Sequence, residues 1–157
     1  MNIRRATISD ASQIARFNQM MALETEKKSL DPETVVKGVE AVLTHADRGF
    51  YTVAEIDGDV VGCVMITFEW SDWRNGNIWW IQSVYVDAAN RKTGIYRAMY
   101  EHLYAQAAAA DDITGIRLYV DKTNTAAQAV YQRMGMELAR YDIYEVDFVL
   151  GSKGAGD

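Results

Sequence analysis

Cysteine and proline each occur once in this 157-residue chain, as Cys63 and Pro32. A lone thiol closes no disulfide within the chain and builds no zinc site by itself, a pattern that suits a reducing cytoplasm. The two histidines, His45 and His102, lack partners at ligand spacing, so no metal is expected. No apolar run approaches the roughly 20 residues of a membrane helix. Met1-Asn2-Ile3-Arg4-Arg5 leads into no apolar leader core, so neither export nor membrane insertion is expected. Basic charge is also scarce, with 16 Lys and Arg against 22 Asp and Glu, a net of −6. That argues against nucleic acid or an anionic membrane as partner and favours a cationic one. Repeats and Pro- or Ser-rich linkers are absent too.

What is present reads as one α/β domain over residues 1–150, followed by a Gly-rich tail at 151–157. "SDASQIARFNQMMALE" predicts a helix capped by Ser9, with Ala11, Ile14, Phe17 and Met21 on one face. "LDPETVVKGVEAVL" predicts a second, with Asp31 as N-cap, Pro32 in the first turn, and Val35, Val39, Val42 and Leu43 inward. "FYTVAEI" and "VVGCVMITF" flank Asp57-Gly58-Asp59, a hairpin signal. After a polar and aromatic hinge, "EWSDWRNGN", the nearly continuous apolar run Ile78–Val86 predicts a central strand covered on both faces.

A further helix carries Ile95, Met99, Leu103 and Ala107 inward. "GIRLYV" predicts a strand, "NTAAQAVYQRMG" a short helix closed by Gly135, and "ELARYDIYEVDFVL" a strand pair or one bent strand. Cys63, mid-strand among Val61, Val64 and Ile66, reads as a buried thiol. The order ααβββαβαβ implies a mixed, mostly antiparallel sheet with helices on both faces.

One turn asks for a chemical explanation. Val84-Tyr85-Val86 runs into Asn90-Arg91-Lys92-Thr93-Gly94, and a helix opens at Ile95-Tyr96-Arg97. A strand that turns through glycine into a helix leaves several amides pointing one way, beside the positive end of the helix dipole. Arg91, Lys92 and Arg97 add charge in an otherwise acidic chain. A diphosphate suits such a turn. It is neither a Walker loop nor a dinucleotide fingerprint, because both glycine patterns are missing.

The segment from Val86 to Tyr96 resembles the acetyl-CoA motif of the GNAT acetyltransferases, Arg/Gln-x-x-Gly-x-Gly/Ala. Arg91 and Gly94 fill its first two positions, and Tyr96 departs from the small residue usual at the third. About thirty residues on, "LYVDKTNTAAQAVYQRMGM" is similar to the family's later segment, with Asn124, Ala127, Tyr131, Gly135 and Met136 in the corresponding places. Two motifs in order and at the right spacing weigh more than either alone.

The resemblance implies the GNAT fold and direct attack of an amine on acetyl-CoA in a ternary complex. It assigns cofactor contacts to Val84, Tyr85, Val86, Arg91, Lys92, Thr93, Gly94, Ile95, Tyr96, Arg97 and Asn124. Main-chain N–H groups at Ser83–Tyr85 would polarise the acetyl carbonyl, and the Tyr131 phenol would act as general acid toward the departing sulfur. Many relatives carry a Glu on the fourth strand where this chain has Gln82, so a general base must come from elsewhere: Glu24, Glu26, Glu69, Asp72 or water.

The acceptor pocket is expected to draw on "FEWSDWRNGNIWW", with Trp70, Trp73, Glu69 and Asp72, Gln82 and Glu24 beside it, while Trp79 and Trp80 face opposite sides of the strand and one of them packs in the core. Aromatic faces and carboxylates suit a cationic small-molecule amine. The competing readings are a protein N-terminus or lysine as acceptor, and a non-catalytic acyl-CoA-binding module. A nucleotide-binding domain unrelated to CoA would require both motifs to be accidents. Free sheet edges make a homodimer an expectation.

Overall fold

The computed structural model describes residues 1–149. Two compact units divide the chain, Met1–Tyr119 and Val120–Asp157, the second described as far as residue 149. In the first unit a short strand, β1 (Asn2–Arg5), is followed by α1 (Ala11–Glu26) and α2 (Pro32–Thr44). Then come β2 (Phe50–Ile56), β3 (Asp59–Ser71), β4 (Gly76–Val86), α3 (Ile95–Ala109) and β5 (Ile113–Arg117). The strands lie side by side in chain order, and all neighbours are antiparallel except β4 and β5, which are parallel. The expected mixed sheet is therefore present, with one strand more at its start than the pattern predicted.

The strand β1 escaped sequence reading because four residues are too few to display alternation. It is fixed instead by charge. Arg4 grips the Asp10 carboxylate through two bonds of 2.8 and 2.9 Å and donates to Glu55 on β2 at 2.9 Å. Asp10 is buried, and the Arg4 guanidinium holds its acid below the usual carboxylate range. The Asp10 carboxylate also accepts the Thr7 N–H at 2.8 Å. Ser9 is thus not the cap: Thr7 opens a 3-10 turn at Ile8–Asp10 that leads into α1. At α2 the expectation holds, since Asp31 accepts the Thr34 N–H at 2.8 Å.

Asp57 and Gly58 both take positive φ, 52° and 90°, as the tight β2–β3 hairpin requires. The segment expected to be a hinge is mostly strand. The β3 strand continues to Ser71 and β4 begins at Gly76, leaving only residues 72–75 as the turn. Gly76 is required there because a Cβ would stand 2.6 Å from the Thr114 methyl and 2.9 Å from the Asp112 carbonyl.

Helices cover both faces. Ile14 and Phe17 of α1 pack on Tyr51, Val53, Cys63 and Tyr85, with the Phe17 and Tyr85 rings 5.0 Å apart. Gly62, next to Cys63 and so facing the other way, lies under α3: a Cβ there would meet Ile95 and Met99 at 3.4 Å. Ile14, Phe17, Ile66, Met99 and Leu103 are fully buried, each contributing about 1.5–3 kcal/mol through the area it removes from water.

In the second unit, α4 (Thr125–Arg133) is capped by Asn124, whose side chain accepts the Ala127 N–H at 3.1 Å. Gly135, at φ 85°, ends it as expected. Two sequence expectations fail. The strand placed over "GIRLYV" begins earlier and stops at Arg117, and residues 137–149 adopt neither helix nor strand. That segment interleaves Glu137, Arg140, Asp142, Glu145 and Asp147 with apolar residues, and strand propensity is realised only where a partner strand pairs with it. The tail at 151–157, and Leu150, lie outside the described residues.

Candidate functional site

Parallel pairing of β4 with β5 ends at the rung Trp80–Arg117. Beyond it β4 continues to Val86 with no described strand on that side. Opposite, the β3–β4 register slips between Cys63 and Met65, where Ser83 takes a left-handed φ of 48°. The strand therefore bulges while its other edge is open. Asp87 N–H donates toward β3, to Val61 O at 2.8 Å. By the alternation of an antiparallel strand, the main chain of Val86, and of Val84 before it, faces the open edge.

That edge runs into the basic turn. Gly94 caps α3 with φ 87°, and no described atom lies within 4 Å of where its Cβ would stand. The first intrahelical bond is Ala98 N–H to Gly94 O, 3.0 Å. The amides of the first turn, which precede that bond, point toward the positive end of α3. Thr93 Oγ1 closes the turn on Asn90 O at 2.6 Å, and Lys92 sits at φ 65°. An open cradle of amides beside cationic side chains fits the diphosphate of CoA.

Arg91 points elsewhere. Its Nε donates to Val86 O at 2.9 Å, its guanidinium reaches Glu24 Oε2 at 2.7 Å, and it lies 5.1 Å from the Tyr85 ring centre. Tyr85 Oη donates to the other Glu24 oxygen at 3.0 Å. The Arg91 bond, with help from Tyr85, holds the Glu24 pKa below its ordinary value, whereas burial and then Glu24 push the Tyr85 phenol up. Glu24 is thus a clasp between the end of α1 and the turn, and a weak base. Val86, expected to meet pantetheine, has its carbonyl occupied by Arg91 and offers its N–H. Arg97 pairs with Glu101 along α3 at 2.8 Å.

On the α1 face of the sheet the fork carries polar and aromatic side chains. Gln82 Nε2 donates to Thr67 Oγ1 across the β3–β4 pair. Arg117 donates to Glu69 Oε2 at 2.6 Å, both side chains being about 40% exposed. Tyr119 lies beside Trp80, ring centres 6.2 Å apart. Of the expected acceptor residues, Glu69 and Gln82 come to this face. Trp73, 88% exposed, lies in the β3–β4 turn, Asp72 accepts Trp73 N–H there, and Trp70 is exposed near the same tip. Trp79 and Trp80 divide between the faces: Trp79 is buried against Phe50, ring centres 5.1 Å apart.

Arg117, Thr67 and Tyr119 were not among the candidates. The parallel β4–β5 register brings Arg117 beside Trp80, which the antiparallel β3–β4 register sets opposite Thr67, and no local pattern encodes either. Tyr131 is half-buried on α4, and Asn124 acts at least as a helix cap. Burial pushes the Cys63 thiol up to about 12, which disqualifies it as a nucleophile. Among the described residues no group of three or more His, Cys, Asp or Glu is arranged to hold a metal ion, and no helix is long and apolar enough to cross a membrane.

Residues 16–136 match the model of the acetyltransferase (GNAT) family. A possible acetyltransferase from Clostridium difficile 630 is 42% identical, with a TM-score of 0.89 over 94% of this chain and 97% of that one. Two more distant structures share the fold. A predicted acetyltransferase with acetyl-CoA from Clostridium acetobutylicum is 19% identical, TM-score 0.74, covering 93% of this chain and 95% of its own. A ribosomal-protein-alanine N-acetyltransferase from Brucella melitensis biovar Abortus 2308 is 17% identical, TM-score 0.73, covering 94% and 100%. No curated protein matches the chain significantly.

Proposed function

This chain belongs to the GNAT acetyltransferase family, and on that premise we propose that it moves the acetyl group of acetyl-CoA to the primary amine of a small molecule. The observation that carries the reading is the open edge of β4 past the Trp80–Arg117 rung, continuous with the amide cradle at Gly94. Acetyl-CoA supplies an activated thioester when bound.

The main chain around Gly94, at the start of α3, receives the diphosphate, and Lys92 and Arg97 screen its charge. Val84 and the Val86 N–H bond the pantetheine amides along the open edge. Main-chain donors at the Ser83 bulge stabilise charge on the acetyl oxygen. Tyr131 donates its phenolic proton to the sulfur and recovers it from water. As the nitrogen–carbon bond forms and the carbon–sulfur bond breaks, the amine gives up one proton to solvent and the sulfur takes the one from Tyr131.

Neither Glu24 nor Glu69 is a free base, each being held by an arginine. An amine that arrives as an ammonium therefore gives its extra proton to water before it attacks. An aromatic and ion-paired fork suits a small acceptor. Thiol release from acetyl-CoA in the presence of amines and of peptides with free N-termini tests the reading. Release with small amines supports it. Release with peptides alone assigns a protein acceptor, and binding of CoA without release under any acceptor makes the chain a binding module.

A further inference from the structure

The fork face pairs opposite charges beside an aromatic wall, at the point where the two strands separate. Register places Thr67, Trp80 and Arg117 on one side of the sheet, since Thr67 pairs with Trp80 and Trp80 with Arg117. Glu69 and Gln82 are each two residues along on that side. Arg117 and Glu69 meet at 2.6 Å, with side chains 40% and 42% exposed. A pair so exposed contributes little to folding and opens at little cost. Gln82 gives its N–H to Thr67, which leaves its carbonyl oxygen to accept from a ligand.

A purely cationic amine could take Glu69 but would strand Arg117 without an anion. A ligand with both charges satisfies both side chains at once. We propose, resting on the transferase reading above, that the acceptor is a free α-amino acid. Arg117 takes its carboxylate, Glu69 and the Gln82 carbonyl take its amino group, and the Trp80–Tyr119 wall, ring centres 6.2 Å apart, takes an apolar or aromatic side chain. The guanidinium fork matches a carboxylate in two bonds, so an ester, an amide or a decarboxylated analogue forfeits that contact.

The test is thiol release with a panel of α-amino acids, each beside its α-carboxamide and its decarboxylated amine, starting with phenylalanine, phenylalaninamide and phenethylamine. Rates are compared at equal concentrations of neutral amine. The wild type should favour the acid by roughly tenfold or more in kcat/KM. Arg117→Gln should abolish that preference by slowing the acids alone, with the CoA-induced rise in melting temperature retained. Should Arg117→Gln fold poorly, Arg117→Lys, which keeps charge without the planar fork, should lose most of the preference. Equal or faster turnover of amides or amines by the wild type would overturn the proposal, as would a preference that survives Arg117→Gln. Either result leaves the transferase reading standing. No thiol release with any amine overturns both.

Discussion

Two arginines mark the ends of the open stretch of β4, and they are held in different ways. Arg91 has a carbonyl, a carboxylate and an aromatic face, and its carboxylate partner is itself tied to Tyr85. Arg117 has one carboxylate, half in water. The first is a brace whose removal loosens α1 from the turn. The second is a cation awaiting a better partner. On the proposed reading, the turn binds through its main chain and the fork through side chains.

The comparison is broken most severely where neither arginine acts. Tyr131→Phe should slow turnover by about 100-fold or more, with the KM for acetyl-CoA little changed, if the phenol supplies the proton. Steady-state kinetics decide, and an unchanged kcat would remove Tyr131 from the chemistry. At the main-chain end, Gly94→Val meets a left-handed φ of 87° and fills the open cradle. CoA affinity should fall roughly tenfold or more, seen in calorimetry and as loss of the CoA-induced rise in melting temperature.

The smallest effects separate the two clasps themselves. Glu24→Gln should lower the melting temperature by about 2–4 °C, corresponding to about 1 kcal/mol, while Glu69→Gln stays within about 1 °C. Glu24 also brings a pH signature. Arg91 depresses its pKa in the folded state. The stability it contributes is therefore complete above the unfolded value of about 4.3 and fades as pH falls through the lower folded value. Melts of wild type and Glu24→Gln should converge as the medium is acidified below about pH 4. A gap that persists there would mean that Glu24 contributes by packing alone.

The helices and the long central strands were readable from periodicity, and the turn at Gly94 from its charge and its glycine, because these are local signals. What stayed hidden depends on pairing. Ser83 carries nothing that announces a bulge, and its φ of 48° follows from the slipped register with β3. Arg91 looks like a phosphate ligand until α1 brings Glu24 to it. Arg117 reads as one charge in an apolar strand until the parallel register sets it beside Trp80. The tryptophan-rich segment misled in the other direction. Residues that resembled a pocket wall extend a hairpin, and only Glu69 and Trp80 reach the fork.

Neighbours in the sheet are also neighbours along the chain, and this orders assembly. Strands β2, β3 and β4 can zip outward from their own tight turns with little loop closure. The parallel β4–β5 seam must wait until α3 has formed and crossed over. On the proposed reading, cofactor and acceptor meet at the last-made joint of the sheet, whose partial opening in the finished protein leaves room for them.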